Sequence, residues 1–270
     1  MKKKFEALPL VMLLASIAAT IISVAARSTL TLTALDARYG VYDNGNILPA
    51  VYHVLLVLVL ISLALFSFLK APKREPDYVR AHSDITLFAS CVCAFMLIAN
   101  AGVAIYYIVR NGASPDTFDI LELCFSPLAI LFFLGLVRSD TKPKASLALM
   151  SMFVIAWCAV CLIRIYFDNS VLQVSPNKIM SELAMLSTMI YFLSEARAQL
   201  GIIKHRFYLA SALVTPVLLM TAAVPNLLFP NELSIGTSDS FLRYAVCTSL
   251  AIFIWARLFA YAKSEETNQP

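Results

Sequence analysis

Glu122 is the side chain in this sequence whose chemistry most needs an account, because it interrupts a long apolar segment. Its neighbours one turn away, Asp119 and Ser126, bring no cation to it along its own helix. A charge at membrane depth is costly unless it faces protein or water, which makes it the first place to look for function. Arg164, on the following apolar segment, lies about 6 Å shallower at a rise of 1.5 Å per residue, and its long side chain can span that gap. Two readings follow. Either Glu122 and Arg164 form an ion pair that ties two helices, or the carboxylate is kept neutral in the resting protein, as a proton-coupled carrier requires. The ion pair is the expected state.

The remaining polar groups at depth have simpler explanations. Lys178 and Glu182 stand at i and i+4, as do Arg164 and Asp168, so each pair shares a helix face and can neutralise itself. Asn100 sits mid-segment and is read as an interhelical hydrogen-bonding residue. Pro127, Pro216 and Pro225 each remove a backbone donor inside an apolar segment and are expected to kink it, with Ser126 and Thr215 placed to compensate.

All six cysteines, Cys91, Cys93, Cys124, Cys158, Cys161 and Cys247, fall inside apolar segments. Cys158 and Cys161 have the CxxC spacing of redox and metal sites, and Cys124 could adjoin them on the neighbouring helix. A membrane thiol oxidase must pass electrons to a second, exposed cysteine pair, which this chain lacks. Buried thiols usually act as small hydrophobes, so redox chemistry is not the expected role.

The three histidines, His53, His82 and His205, are distributed between the two ends of the predicted bundle, unlike a bis-imidazole haem site. HExxH, a pair of membrane aspartates and a glycine-rich phosphate loop are all absent. The expectation is therefore a non-enzymatic chain that needs no cofactor or metal.

These residues must be positioned by helices in a bilayer. Eight apolar segments, at 8–26, 48–69, 85–109, 119–137, 145–167, 177–194, 207–229 and 241–262, each approach the ~20 residues that cross ~30 Å of hydrocarbon. The predicted fold is an all-α polytopic bundle forming a single domain over residues 1–270, with every connection too short for a soluble domain.

Charge orients it. With both termini inside, fifteen of the 21 basic residues fall on the cytoplasmic side and only Arg27, Arg38, Arg110, Arg164, Lys178 and Arg243 on the other. The net charge of +4 is thus a topology signal and no indication of nucleic acid. The mixed-sign stretch 73–80 suits a lipid headgroup layer.

The first segment also resembles a signal peptide, with Lys2 to Lys4 ahead of the apolar run and Val24-Ala25-Ala26 as a small-residue cleavage site. Its length favours retention; cleavage would leave seven spans with the N-terminus outside. Small residues at Ala15, Ala19 and Ser23, and at Ser90, Ala99 and Gly102, are expected to pack within the bundle, with a homodimer interface as the alternative.

The expected role is a sensory or accessory module, in a bacterial cytoplasmic membrane, that binds a small ligand or a partner helix within the outer half. A small proton-coupled transporter built on Glu122 is the alternative, and a thiol-quinone oxidoreductase built on Cys158 and Cys161 a third.

Overall fold

The computed structural model describes residues 8–36, 40–43, 45–70, 83–111, 116–138, 145–168, 172–229 and 241–267. They form eight helices: α1 (Leu8–Ala34), α2 (Leu48–Lys70), α3 (Asp84–Asn111), α4 (Thr117–Arg138), α5 (Ala145–Phe167), α6 (Pro176–Gln199), α7 (His205–Leu228) and α8 (Phe241–Thr267). Between α1 and α2 lies a two-stranded antiparallel hairpin, β1 (Leu35–Asp36) and β2 (Val41–Tyr42), that pairs Leu35 with Tyr42 and Asp36 with Val41. Gly40 reverses the chain there at φ 64°, a conformation open to glycine at little cost. The stretch 73–80 and His82 lie outside the described residues.

Helices α3, α4, α5, α6, α7 and α8 form a closed ring of contacts, and α1 and α2 pack against α7 from outside it. Helices α7 and α8 form the interior: 78% and 72% of their apolar windows are buried, against 22% for α2. The mid-section is an aromatic plug. Phe132 and Phe133 of α4 meet Phe192 of α6 and Phe253 of α8 at ring separations of 5.2 to 6.3 Å, all four side chains being fully buried.

Seven of the helices are long and apolar enough to cross a membrane; α6 is long enough but less apolar. It carries Lys178, Glu182, Glu195 and Arg197. Its exposed face nonetheless consists of Ile179, Leu183, Leu186, Ile190 and Leu193, a stripe at helical spacing, while Lys178 and Glu195 are buried inside the bundle. Apolar residues outward and charged residues inward is the arrangement a lipid solvent favours. The chain is an all-α helical membrane bundle.

Helix α6 ends in a Schellman turn: the Ile202 N–H donates to the Arg197 carbonyl at 3.0 Å and that of Gly201 to Ala198 at 3.1 Å, with Gly201 at φ 73°. Helices α4 and α7 run continuously through Pro127, Pro216 and Pro225. The Ser126 hydroxyl donates to its own helix at the Glu122 carbonyl, 2.7 Å away, whereas Thr215 reaches across to Ser187 of α6 at 3.1 Å.

The small-residue faces divide. On α1, Ser16 donates to the Leu213 carbonyl of α7 at 2.9 Å and accepts from the Trp255 indole of α8 at 3.1 Å, and Ser23 is buried; this face packs within the bundle. On α3, Ser90 is buried, but Gly102 is exposed and an added Cβ would meet nothing within 4 Å. The close approach is at Gly135, where a Cβ would lie 2.9 Å from Leu147 and 3.2 Å from Met150. Gly102→Ala should therefore stabilise the protein by up to about 1 kcal/mol through helix propensity. Gly135→Ala should cost about 1–3 kcal/mol through overpacking of the α4–α5 hairpin. Thermal melts in detergent check the order; a neutral Gly135→Ala would show that Leu147 and Met150 yield freely.

Candidate functional site

Two buried polar networks lie at opposite ends of the bundle, separated by the aromatic plug. The end bearing the β-hairpin holds Glu122. Its Oε2 accepts from Arg243 of α8 at 2.7 Å and from Arg164 of α5 at 3.3 Å, and its Oε1 accepts from Asn100 of α3 at 2.9 Å. Arg164 also bridges Asp119 at 2.5 Å. Four helices meet at one carboxylate, and its two guanidinium partners together with Asp119 make the group electrically neutral.

Asn100 is thus an interhelical hydrogen-bonding residue as expected, and its acceptor across α3 and α4 is Glu122. Arg243 was counted in the sequence only as a charge at the membrane surface. Its signal was available: it falls two residues inside a predicted span and one turn before Cys247, on what became the buried face of α8.

Lys178 departs from the i, i+4 expectation. Its ammonium donates to the backbone carbonyls of Tyr166 and Asp168 at 3.0 and 2.8 Å, capping the C-terminal end of α5, and it forms no ion pair with Glu182 among the described residues. The geometric reason is that the carbonyls at a helix C-terminus lack intrahelical donors and carry partial negative charge, so a nearby cation is drawn to them. Glu182 itself is half-buried.

Beside Arg243 a narrow cleft opens between α5, α6, α7 and α8. Ile165, Ala184, Met185, Ala222 and Cys247 supply its apolar walls, and Ser181, Arg243 and Tyr244 its polar edge. It has space for about one water molecule. The Ser181 hydroxyl, on a residue that is 5% exposed, has no hydrogen-bond partner among the described residues.

A second arginine is buried at the same end. Arg27 of α1, 2% exposed, donates to Asn177 Oδ1 of α6 at 2.9 Å and to the backbone carbonyl of Thr221 in α7. That carbonyl is the one left without its helical donor by Pro225, four residues on. Asn177 and Asn226 exchange amide hydrogen bonds at 3.0 and 2.7 Å beneath the guanidinium. The proline, the two asparagines and the arginine therefore form one unit that holds α1, α6 and α7 together.

The opposite end, where α1 begins and α8 finishes, holds a network that sequence reasoning missed. Glu195 of α6 and Arg257 of α8 pair at 2.5 Å with both side chains fully buried. Glu195 also accepts from Tyr208 of α7 at 3.0 Å and from Gln199 at 2.9 Å. His205 and Tyr261 hydrogen bond at 3.0 Å one layer further out. The charge count places Arg257 on the cytoplasmic side and singles out neither it nor Glu195 as buried. The spacing of Tyr191, Glu195 and Gln199 along one helical face was the available signal.

Cys158 and Cys161 are fully buried, whereas Cys124 is exposed on the outside of the bundle. No group of three histidine, cysteine or acidic side chains could hold a metal among the described residues. His53 and His205 stand at opposite ends of the bundle, on the second turn of α2 and the first turn of α7.

Fold and site together define a polytopic helical membrane protein with ion-paired ends. Comparison with known proteins finds no matching family model, no matching curated protein and no matching solved structure.

Proposed function

We propose that this chain is a non-enzymatic sensory or accessory module of a bacterial cytoplasmic membrane, with both termini inside, that takes a small ligand in the cleft between α5 and α8. The observation that carries the reading is the double link between α6 and α8. They share the cleft at the hairpin end through Ser181, Met185 and Arg243, and the Glu195–Arg257 pair at the other. A ligand larger than the one-water space must part α6 from α8, and a helix displaced at one end bears on the ion pair at its other end.

The transporter alternative loses support from the doubly paired geometry of Glu122, whose carboxylate is held by two arginines and an asparagine. The thiol alternative loses support from the depth of Cys158 and Cys161. No partner protein is implied by either network; the bilayer is the one partner that the exposed apolar faces require.

Thermal-shift screening of small molecules on protein in nanodiscs tests the site. Compounds that stabilise the wild type should lose their effect when Ala184→Phe fills the cleft. Equal stabilisation of both would place binding elsewhere. Accumulation of such a compound in proteoliposomes under a proton gradient, abolished by Glu122→Gln, would establish the transporter instead.

Orientation has its own check. An impermeant thiol reagent applied to intact cells should label Gly45→Cys, beside the hairpin, and leave Lys204→Cys in the α6–α7 turn untouched. The reverse pattern would invert the topology.

A further inference from the structure

We propose that Arg27 is the core of an anion site at the hairpin end of the bundle, with a small carboxylate as its chemical class of ligand. This does not depend on the cleft proposed above. A buried guanidinium ordinarily sits against a carboxylate, because desolvating its charge without compensation is unfavourable by several kcal/mol. Arg27 has none within ion-pair distance among the described residues. Its acceptors are an amide oxygen, a backbone carbonyl and the phenol of Tyr42, all uncharged.

The third neighbour is neutral as well. Tyr42 of β2 lies beside the guanidinium, and burial pushes its phenol above the ordinary range more than the nearby positive charge lowers it. Asp36 and Asp43, the acids of the adjoining hairpin, are exposed.

Two hydroxyls at the site lack partners. Tyr52 of α2, 7% exposed and within the electrostatic reach of Arg27, has no hydrogen-bond acceptor for its phenol. Thr221, fully buried, offers its carbonyl to Arg27 while its own hydroxyl is unpaired. Unsatisfied buried donors are uncommon and call for a specific cause. A planar guanidinium accompanied by two free hydroxyls is a donor set suited to a carboxylate, which accepts at two oxygens and supplies the missing negative charge.

Thermal unfolding of the full chain in uncharged detergent, at constant ionic strength, tests the site with formate and acetate as probes against bulky gluconate. A saturable rise of about 2–4 °C with formate or acetate, absent in gluconate, is expected for the wild type. Arg27→Gln should abolish it. Because Arg27→Gln could disturb folding, Tyr52→Phe provides the second arm: it removes an unpaired hydroxyl, should leave basal stability intact, and should weaken the apparent affinity for formate about tenfold. Equal responses to all three anions, or an unchanged response in Tyr52→Phe and Arg27→Gln, would overturn the proposal.

The headgroup of an anionic lipid shares the chemistry and is separated by composition, phosphatidylglycerol carrying a net negative charge and phosphatidylcholine none. Loss of the acetate response in phosphatidylglycerol nanodiscs, with the response kept in phosphatidylcholine nanodiscs, would identify the headgroup as the occupant of the same site. Retention in both would identify a soluble anion.

Discussion

Glu122→Gln is expected to lower the unfolding free energy by about 3–5 kcal/mol, because it leaves the Arg243 guanidinium, 4% exposed, without the carboxylate 2.7 Å away. Arg243→Gln should cost less, since Glu122 keeps Arg164 and Asn100 as donors. Arg164→Gln should cost least, about 1 kcal/mol, because Arg164 and Asp119 are 21% and 28% exposed and solvent screens them. The coupling is the sharper quantity. Glu122→Gln with Arg243→Gln should recover most of the loss, whereas Glu122→Gln with Arg164→Gln should recover little. Equilibrium unfolding in mixed micelles measures all five variants. Strictly additive losses for Glu122 and Arg243 would show that the pair does not hold the helices, and full recovery through Arg164 would make Arg164 the principal partner.

The second large effect is expected at the opposite end. Glu195→Leu removes the acceptor of Arg257, Tyr208 and Gln199 at once, in surroundings where both ionic side chains are fully buried, so a loss of about 3–5 kcal/mol is expected. Tyr208→Phe isolates one hydrogen bond to a charged group and should cost about 1.5–3 kcal/mol. Replacing both ions, as Glu195→Leu with Arg257→Met, should recover the part of the loss that comes from the unpaired Arg257 and leave the cost of the unpaired Tyr208 and Gln199 donors. A double variant as unstable as Glu195→Leu alone would mean that Arg257 is held chiefly by other groups.

Arg243 and Arg257 are 14 residues apart on α8, about 21 Å along the helix, with Phe253 and the rest of the aromatic plug between them. Networks so far apart, with no shared partner, contribute additively unless the helix that joins them transmits displacement, as the proposed function requires of α8. Non-additivity between Glu122→Gln and Glu195→Leu would reveal that α8 moves as a unit, the property that a ligand-driven displacement of α6 against α8 needs.

Element positions were legible in the sequence because transfer of a long apolar run into lipid dominates local energetics. The segment 145–167 coincides with α5, and 48–69 differs from α2 by one residue. Ends were extended wherever polar residues continued the helix. Helix α1 runs on to Ala34, past the apolar stretch that ends at Ala26, because Arg27, Ser28 and Thr29 can be helical once protein replaces lipid around them. Helix α6 reaches Gln199 for the same reason, with Glu195 and Gln199 turned inward.

By itself, then, the sequence determined that this chain is an all-α helical membrane bundle, and it singled out Glu122 as a charge in need of partners. Hydropathy supports that much, since it measures the average cost of placing a residue in hydrocarbon. Which face of each helix meets protein was decided only by tertiary packing, and that choice turned Arg243, Arg257, Glu195 and Arg27 from apparent surface charges into buried ones. A cation at i on one helix and an acceptor on another share no local pattern; they are matched by helix rotation and depth. For Arg27 that match involved the carbonyl freed by Pro225, 198 residues away in sequence, because lipid offers an unpaired backbone group no alternative partner.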